Sequence, residues 1–237
     1  MLRSYSKIKA DARGRLLGNY SKFICALMLS NLLMEMIDNL ILGAVYGTRF
    51  YLQFSIVSGI AIHLFSGLFV SGECYMYLKF AFDQPIRVSD LFHGFRSHAD
   101  KAILLQTIFT VVSLATMIPL ILLRSFRTND LTTNLILLGI LLGGYLIQLI
   151  VSLNLDFAFY MIHDFPDLKL GRILRMCFQL MKGYRLKLLR LELSFIPMYL
   201  LGVMTFFVGF LWIIPYINAT RTNFYIDLVE MKTRRGN

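Results

Sequence analysis

Charged residues are scarce in this sequence of 237 residues. They make up 16% of it, whereas hydrophobic residues make up 57%. Soluble domains carry about 25% charged residues. The apolar residues here are also gathered in long runs, which is typical of membrane spans rather than of a large soluble core. We therefore expect an integral membrane protein.

The sequence also lacks the common motifs of catalysis and of metal binding. Its three cysteines, Cys25, Cys74 and Cys177, are scattered and form no C-x-x-C pair. The patterns G-x-S-x-G and H-E-x-x-H and the phosphate loop are absent. No histidines stand at the spacing of metal ligands. The sequence therefore predicts no enzymatic activity, no cofactor and no metal site.

Acidic residues are few as well, with 14 against 24 basic residues and a net charge of +10. The basic residues lie in short segments between apolar runs. This placement favours loops that contact anionic headgroups over a surface that binds nucleic acid. We expect the partner to be a bilayer with anionic phospholipids, and we expect no nucleic acid.

We interpret the chain as one all-α membrane domain, residues 1–237, built as a polytopic transmembrane helical bundle. Its predicted parts are a basic amphipathic helix (1–22), four spans (24–160), a basic amphipathic connector (161–187), a C-terminal hairpin (188–228) and a basic tail (229–237). A span needs about 20 apolar residues, and four runs satisfy this. With the two arms of the hairpin, about six helices are membrane-embedded.

Amphipathic helices are expected on the membrane surface at residues 3–17 and 168–184, because apolar residues recur there at helical spacing among many bases. A third short surface helix is predicted at 90–98, with Leu91, Phe92 and Phe95 reaching into lipid. In the second of these helices and just after it, four bases are candidates for contact with anionic lipid. They are Arg172, Arg175, Lys182 and Arg185.

The orientation follows from bases in short loops, which favour the cytoplasmic side. The N-terminus, the loop after the second span and the segment after the fourth are rich in bases. The apolar run 188–217 is ambiguous, since as one span it would place the basic tail outside. A break near 205–209 returns the tail, so we prefer two arms with both termini cytoplasmic.

The segment from residue 180 to residue 228, "LMKGYRLKLLRLELSFIPMYLLGVMTFFVGFLWIIPYINATRTNFYIDL", resembles the C-terminal signature of a bacterial membrane-protein family. That family is known as domain of unknown function 975. Its matching positions are Met181, Lys182, Gly183, Ser194, Phe195, Trp212, Pro215, Tyr216, Asn218, Ala219, Thr220, Phe224, Tyr225, Asp227 and Leu228. The pieces "LLGNY" (16–20) and "DLFHGF" (90–95) fit the family too.

The resemblance implies a polytopic protein of the bacterial cell membrane and supplies no activity and no catalytic residues. The family usually has a glycine-rich break after the position of Thr205. In this sequence Phe207 takes one of the glycine positions, and Gly209 is kept.

Charged residues inside a span are functional candidates, because they are costly in lipid. Glu35 and Asp38 lie near the middle of the first span and share a helical face with Asn31 and Asn39, and His63 lies in the second span. The depths of Asp38 and His63 in an antiparallel hairpin allow the two to pair. The cluster is a proton or cation relay, a polar cavity for a lipid headgroup, or a structural group that satisfies itself within the bundle.

Glu73 is expected to form an ion pair with Lys79 near the end of the second span. The leading functional hypothesis is a non-enzymatic module that organises lipid or binds a membrane-protein partner, which could be a second copy of the chain. The alternative is a small transporter or permeation pathway that uses Glu35, Asp38 and His63.

Overall fold

The computed structural model describes residues 3–125 and 131–236, and every regular element within these ranges is helical. The helices are α1 (Tyr5–Leu16), α2 (Tyr20–Ala44), α3 (Tyr51–Ala81), α4 (His93–Arg96), α5 (Ala99–Ser125), α6 (Leu131–Leu155), α7 (Ala158–Asp164), α8 (Leu170–Met181), α9 (Arg185–Leu193), α10 (Ile196–Met204) and α11 (Phe210–Gly236). A 3-10 turn, Val88–Phe92, precedes α4. The prediction of an all-α fold is confirmed for the described residues.

Four stretches of helix are long and apolar enough to cross a membrane. They are Tyr20–Ala44, Gln53–Ala81, Ala99–Thr116 and Thr132–Asp164. These stretches belong to α2, α3, α5 and the continuous pair α6 and α7. Their positions agree with the four predicted spans, because twenty apolar residues in succession leave the backbone few alternatives in a bilayer.

Helix α3 is the central helix of the bundle, with α2 on one side and α5 on the other, and α6 packs against α5. Two glycines allow the helices to approach closely. A Cβ atom at Gly67 of α3 would lie 2.5 Å from the Cβ atom of Gln106 on α5. A Cβ atom at Gly144 of α6 would collide with the side chain of Thr116 on α5. The contacts between α3, α5 and α6 therefore depend on small residues.

The predicted N-terminal helix forms, but its apolar side packs on protein. Ile8, Ala12 and Leu16 recur every four residues in α1 and are fully buried, and α1 lies against α11. At the start of the chain, Arg3 forms an ion pair of 2.6 Å with Asp227 of α11. The hydrogen bond between them raises the pKa of Arg3 above its ordinary value. Helix α1 therefore lies at the end of the bundle that is rich in basic residues, together with residues 82–98 and α8. We name this end the basic end.

The loop after α3 differs from the prediction. Leu91 was expected to reach into lipid, but it is fully buried, while Phe95 is 40% exposed. The reason is close backbone contact, since a Cβ atom at Gly72 of α3 would collide with the carbonyl oxygen of Leu91. Leu91 of the "DLFHGF" segment is therefore packed on α3 instead of extending outward, while Phe95 stays on the surface.

The predicted ion pair between Lys79 and Glu73 is wrong. Lys79 Nζ instead lies 2.9 Å from Asp90 Oδ2. Burial by itself would raise the pKa of Asp90, but its hydrogen bonds from Lys79 and from the backbone N–H of Arg87 outweigh burial and lower it. This pair attaches the loop to the end of α3 and leaves Glu73 to a different partner.

The predicted break near 205–209 is present, because α10 ends at Met204 and α11 begins at Phe210, but the first arm is not one helix, since α9 ends at Leu193 and α10 begins at Ile196. The arms lie side by side, as shown by the ring contact of 5.8 Å between Phe195 and Tyr216. In the turn, Phe206 and Phe207 adopt left-handed backbone conformations with φ values of 51° and 69°. Neither arm belongs to the four candidate spans, so membrane crossing by the hairpin stays a prediction.

Candidate functional site

A polar cavity of about 260 Å³ lies among α3, α5, the junction of α6 and α7, and α11. Its lining includes His63, Glu73, Gln106, Gln148, Asp156 and Arg221. All of these are hydrogen-bonding or ionisable groups, and the first five come from stretches that are long and apolar enough to span a membrane. Polar side chains that converge inside such a bundle mark a candidate site for a solute.

Helical periodicity places these side chains on the inner faces of their helices. His63, Val70 and Tyr77 of α3 line the cavity and are spaced by seven residues, which is two helical turns. Gln106 and Ser113 of α5 have the same spacing and also line it. The close contact at Gly67 described above brings these two faces together.

His63 is held in place by two residues of α5. Its Nδ1 atom lies 2.9 Å from Thr110 Oγ1 and 3.2 Å from Gln106 Nε2. Its Nε2 atom has no hydrogen-bond partner among the residues that the structure describes. A neutral imidazole can donate through one nitrogen and accept through the other, so Nε2 is available to a bound solute or water.

Arg221 joins three separate parts of the chain at the cavity. Its guanidinium forms an ion pair with Asp156, in the turn between α6 and α7, and its Nε atom lies 3.0 Å from Glu192 Oε1 on α9. The geometry to Glu192 is not that of an aligned hydrogen bond. Asp156 also accepts a hydrogen bond of 2.7 Å from the hydroxyl of Ser152. The single positive charge of Arg221 therefore compensates two carboxylates, those of Asp156 and Glu192.

Glu73 adds a third carboxyl group to this region. It is half-buried and accepts a hydrogen bond of 3.3 Å from the hydroxyl of Ser30 on α2. Within the described part of the chain it has no ion pair, because Lys79 pairs elsewhere. In and around the described lining of the cavity, three carboxyl groups, those of Glu73, Asp156 and Glu192, therefore stand against the one basic side chain of Arg221.

A second cavity of about 490 Å³ adjoins the first and shares His63, Ser113 and Gln148 with it. It lies between α3, α5 and α6 and has a more apolar lining. Along α3 the two linings extend from Ser55 to Tyr77, which is about 33 Å at 1.5 Å per residue. This length is close to the hydrocarbon thickness of about 30 Å. We name the two cavities together the His63 cleft.

The predicted pairing of Asp38 with His63 is absent from the structure. Asp38 accepts a hydrogen bond of 3.3 Å from the hydroxyl of Ser58. His63 is turned toward α5 and binds Thr110 there. The register of the hairpin places Asp38 beside Ser58, five residues before His63 on α3, so the pair differs in depth by about 7.5 Å at 1.5 Å per residue.

The other three members of the predicted cluster lie on the outside of the bundle. Asn31, Glu35 and Asn39 are exposed, and neither cavity is lined by them. Each asparagine donates one hydrogen bond of 2.8 Å to its own helix, to the carbonyls of Leu27 and Glu35 respectively. Of the five predicted residues, only His63 belongs to the cleft.

The four candidate lipid contacts are all exposed at the basic end. Arg172, Arg175, Lys182 and Arg185 form no ion pair with any residue that the structure describes. The guanidinium of Arg185 lies 6.0 Å from the ring of Phe178, which is itself 46% exposed. Bases beside an exposed aromatic ring are a common arrangement at a membrane surface.

Sequence reasoning missed the trio of Arg221, Asp156 and Glu192. Each residue stands at the end of an apolar run, where a charged side chain is expected to extend to the interface. The available signal was the presence of opposite charges at the ends of neighbouring apolar segments. No group of three or more metal-binding side chains is found within the described residues.

A model of the family described as Protein of unknown function (DUF975) matches residues 1–232. The chain belongs to this family. The matched range contains the whole His63 cleft and the C-terminal hairpin, so both are parts of the DUF975 region. No match was found among curated proteins or among solved structures. The function of this DUF975 protein is therefore argued from the geometry of its cleft.

Proposed function

We propose that the protein is a small transporter or permeation pathway whose solute moves along the His63 cleft. The supporting observation is the length of the cleft, whose lining on α3 extends over about 33 Å, comparable with the hydrocarbon thickness of about 30 Å. Irregular or polar surfaces at membrane depth are tolerated where they line a water-filled cavity. The proposal assigns no catalytic step to the protein.

The charges favour a proton or a small cation as the solute. Asp156 and Glu192 share the single cation Arg221, and Glu73 has no ion pair among the described residues. A cavity in which acidic groups outnumber basic ones attracts cations when those groups are ionised. His63 lines both cavities, and its Nε2 atom, which has no hydrogen-bond partner among the described residues, can form a hydrogen bond with a solute that passes between them.

This pathway differs from the sequence-based alternative in its acidic residues. Glu73 and Asp156 replace Glu35 and Asp38, which lie outside the cleft. We further propose that the chain is a multi-pass protein of the bacterial cell membrane with both termini in the cytoplasm. The concentration of bases at one end of the bundle supports this orientation.

Proteoliposomes that contain a pH-sensitive dye can test the pathway. A potassium gradient with valinomycin drives proton entry, and a parallel set with a potassium-sensitive dye and no valinomycin measures cation flux. We expect flux above that of empty liposomes and at least a tenfold loss in Glu73→Gln. The matched control is Glu35→Gln, the same change at an exposed position outside the cleft, which should leave flux unchanged.

Two outcomes would overturn the proposal. One is wild-type protein that conducts neither protons nor potassium above the level of empty liposomes. The other is an equal effect of Glu73→Gln and Glu35→Gln, because only the first residue lines the cleft.

The exposed bases of α8 support a second candidate, the lipid-binding module that the sequence predicted. Native mass spectrometry can compare retention of anionic and zwitterionic phospholipid by the purified protein. The double variant Arg172→Gln with Arg175→Gln should retain less anionic lipid. A matched double variant, Lys7→Gln with Arg49→Gln, removes the same charge elsewhere. Equal retention by the two variants would contradict a specific role for α8.

A further inference from the structure

Helix α2 carries a line of polar side chains on its outer surface. Asn31, Glu35 and Asn39 are spaced by four residues, so they lie above one another on one side of the helix, and all three are exposed. We name them the polar strip. Asp38 is turned away from it and contacts Ser58 of α3. The polar strip therefore belongs to the surface of α2 that no described residue covers.

The polar strip lies at membrane depth. In the candidate span Tyr20–Ala44, Glu35 is about 22 Å from the first residue and about 14 Å from the last, at 1.5 Å per residue. A carboxyl group at this depth is costly to expose to lipid tails. Its side chain forms no ion pair or hydrogen bond with any described residue. Some polar partner outside the fold is needed.

The side-chain amides of Asn31 and Asn39 each have hydrogen-bonding groups that no described residue satisfies. Asn31 and Asn39 each donate one amide hydrogen to a carbonyl of α2 at 2.8 Å. A carboxamide has two donor hydrogens and an accepting oxygen. In both residues the side-chain oxygen and one hydrogen are left without a partner among the described residues. A carboxamide can thus pair with an identical carboxamide.

We propose that the polar strip is the contact surface of a symmetric pair, in which α2 of one chain packs in parallel against α2 of a second copy. Copies inserted in the same direction are related by an axis along the membrane normal, so equal residues meet at equal depth. Asn39 then faces Asn39, and two Glu35 carboxyl groups can share one proton. The second copy fits because each group of the strip complements itself.

Apolar side chains beside the polar strip complete the contact. Met28 and Leu32 are 55% and 58% exposed and lie on the same side of α2. Polar residues that hydrogen-bond across a helix pair, flanked by apolar packing, are a known basis of association in membranes. The His63 cleft lies elsewhere in the bundle, so pairing through α2 leaves it open and is independent of the flux proposal.

Cys25 offers a native probe of this contact. It is exposed on α2, on the side of the polar strip, whereas Cys74 and Cys177 are buried. A short membrane-permeant bismaleimide should therefore join two wild-type chains in proteoliposomes, and Cys25→Ser should abolish the product. Single-molecule photobleaching of labelled protein in dilute proteoliposomes should show two steps for most wild-type particles.

The polar strip itself is tested by replacing Asn31, Glu35 and Asn39 together with leucine. We expect at least a tenfold loss of the crosslinked product at equal protein-to-lipid ratio, and mostly single-step photobleaching. The control Asn134→Leu makes the same change at an exposed asparagine of α6 and should keep both signals. Glu35→Gln should also keep them, because glutamine can still hydrogen-bond across the pair.

Protection of Cys74 and Cys177 from thiol labelling reports whether each variant is folded. If the triple variant is unfolded, the single variant Asn39→Leu replaces it in the test, and we expect a smaller loss of the crosslinked product. Wild-type protein that stays monomeric overturns the proposal, including the case in which another membrane protein covers the strip. Undiminished pairing of a folded leucine variant overturns it as well.

Discussion

Replacing Arg221 with methionine would remove the cation that holds α11 to two distant parts of the chain. Asp156 and Glu192 would then face each other without a counter-charge. Methionine is an unbranched side chain of similar length, so much of the packing is kept. The loss of stability should therefore report the electrostatic part of the contact.

Its magnitude follows from the exposure of the three side chains. Breaking a buried ion pair costs about 3–5 kcal/mol, whereas an exposed pair contributes about 0–1 kcal/mol. The exposed fraction of the side chain is 27% for Arg221, 22% for Asp156 and 27% for Glu192. We expect an intermediate loss, about 2–3 kcal/mol by interpolation between these limits.

The two buried cysteines allow the loss to be measured. In a Cys25→Ser background, a thiol-reactive dye reacts only as Cys74 and Cys177 become exposed on heating. At about 2–4 °C per kcal/mol for a chain of this size, Arg221→Met should lower the apparent Tm by roughly 4–12 °C. The control Arg172→Met removes an exposed arginine that has no ion pair among the described residues, and it should change the Tm little.

The triple variant Arg221→Met, Asp156→Asn, Glu192→Gln separates charge from packing. Because it also removes the two carboxylates, it should recover at least half of the loss. An apparent Tm of Arg221→Met within about 2 °C of wild type, which is at most about 1 kcal/mol on the same scale, would refute the reasoning. A triple variant no more stable than Arg221→Met would show that the loss came from packing.

Two further predictions concern glycine positions. Gly67→Ala should destabilise the contact of α3 with α5 by about 1–3 kcal/mol, whereas Gly139→Ala, with open space around it, should be neutral or stabilising in the same thermal assay. A larger loss at Gly139 would contradict the packing described. Because the φ of Phe207 is 69°, Phe207→Gly should be more stable than Phe207→Ala, by about 1 kcal/mol. The reverse order would argue against a left-handed turn.

Sequence patterns predicted the elements of the fold but only part of the site. The four spans and the break between α10 and α11 came from apolar runs and from the distribution of bases. The burial of Leu91 could not be predicted from the sequence, because it depends on the close approach of the backbone that Gly72 allows. A locally amphipathic segment has the same pattern whether its apolar side meets lipid or protein.

The candidate site shows the same division. His63 could be selected because an ionisable residue in a span is unusual. The charged residues of the same cleft could not be selected together from the sequence. Arg221 and Asp156 are separated by 65 positions and are brought together only by the packing of α11 beside α6 and α7. Glu35 looked equivalent to His63 in the sequence, but the rotation of α2 places it on the outer surface.

The amino-acid sequence alone determined that the chain is helical, that four stretches can cross a membrane, and which family it belongs to. These properties depend on local composition and on residues close in the chain. Only the tertiary structure decided which polar groups meet in the His63 cleft and which lie in the polar strip. The reason is that helix rotation and close packing at Gly67 and Gly144 determine those neighbours, and both arise from contacts between distant segments.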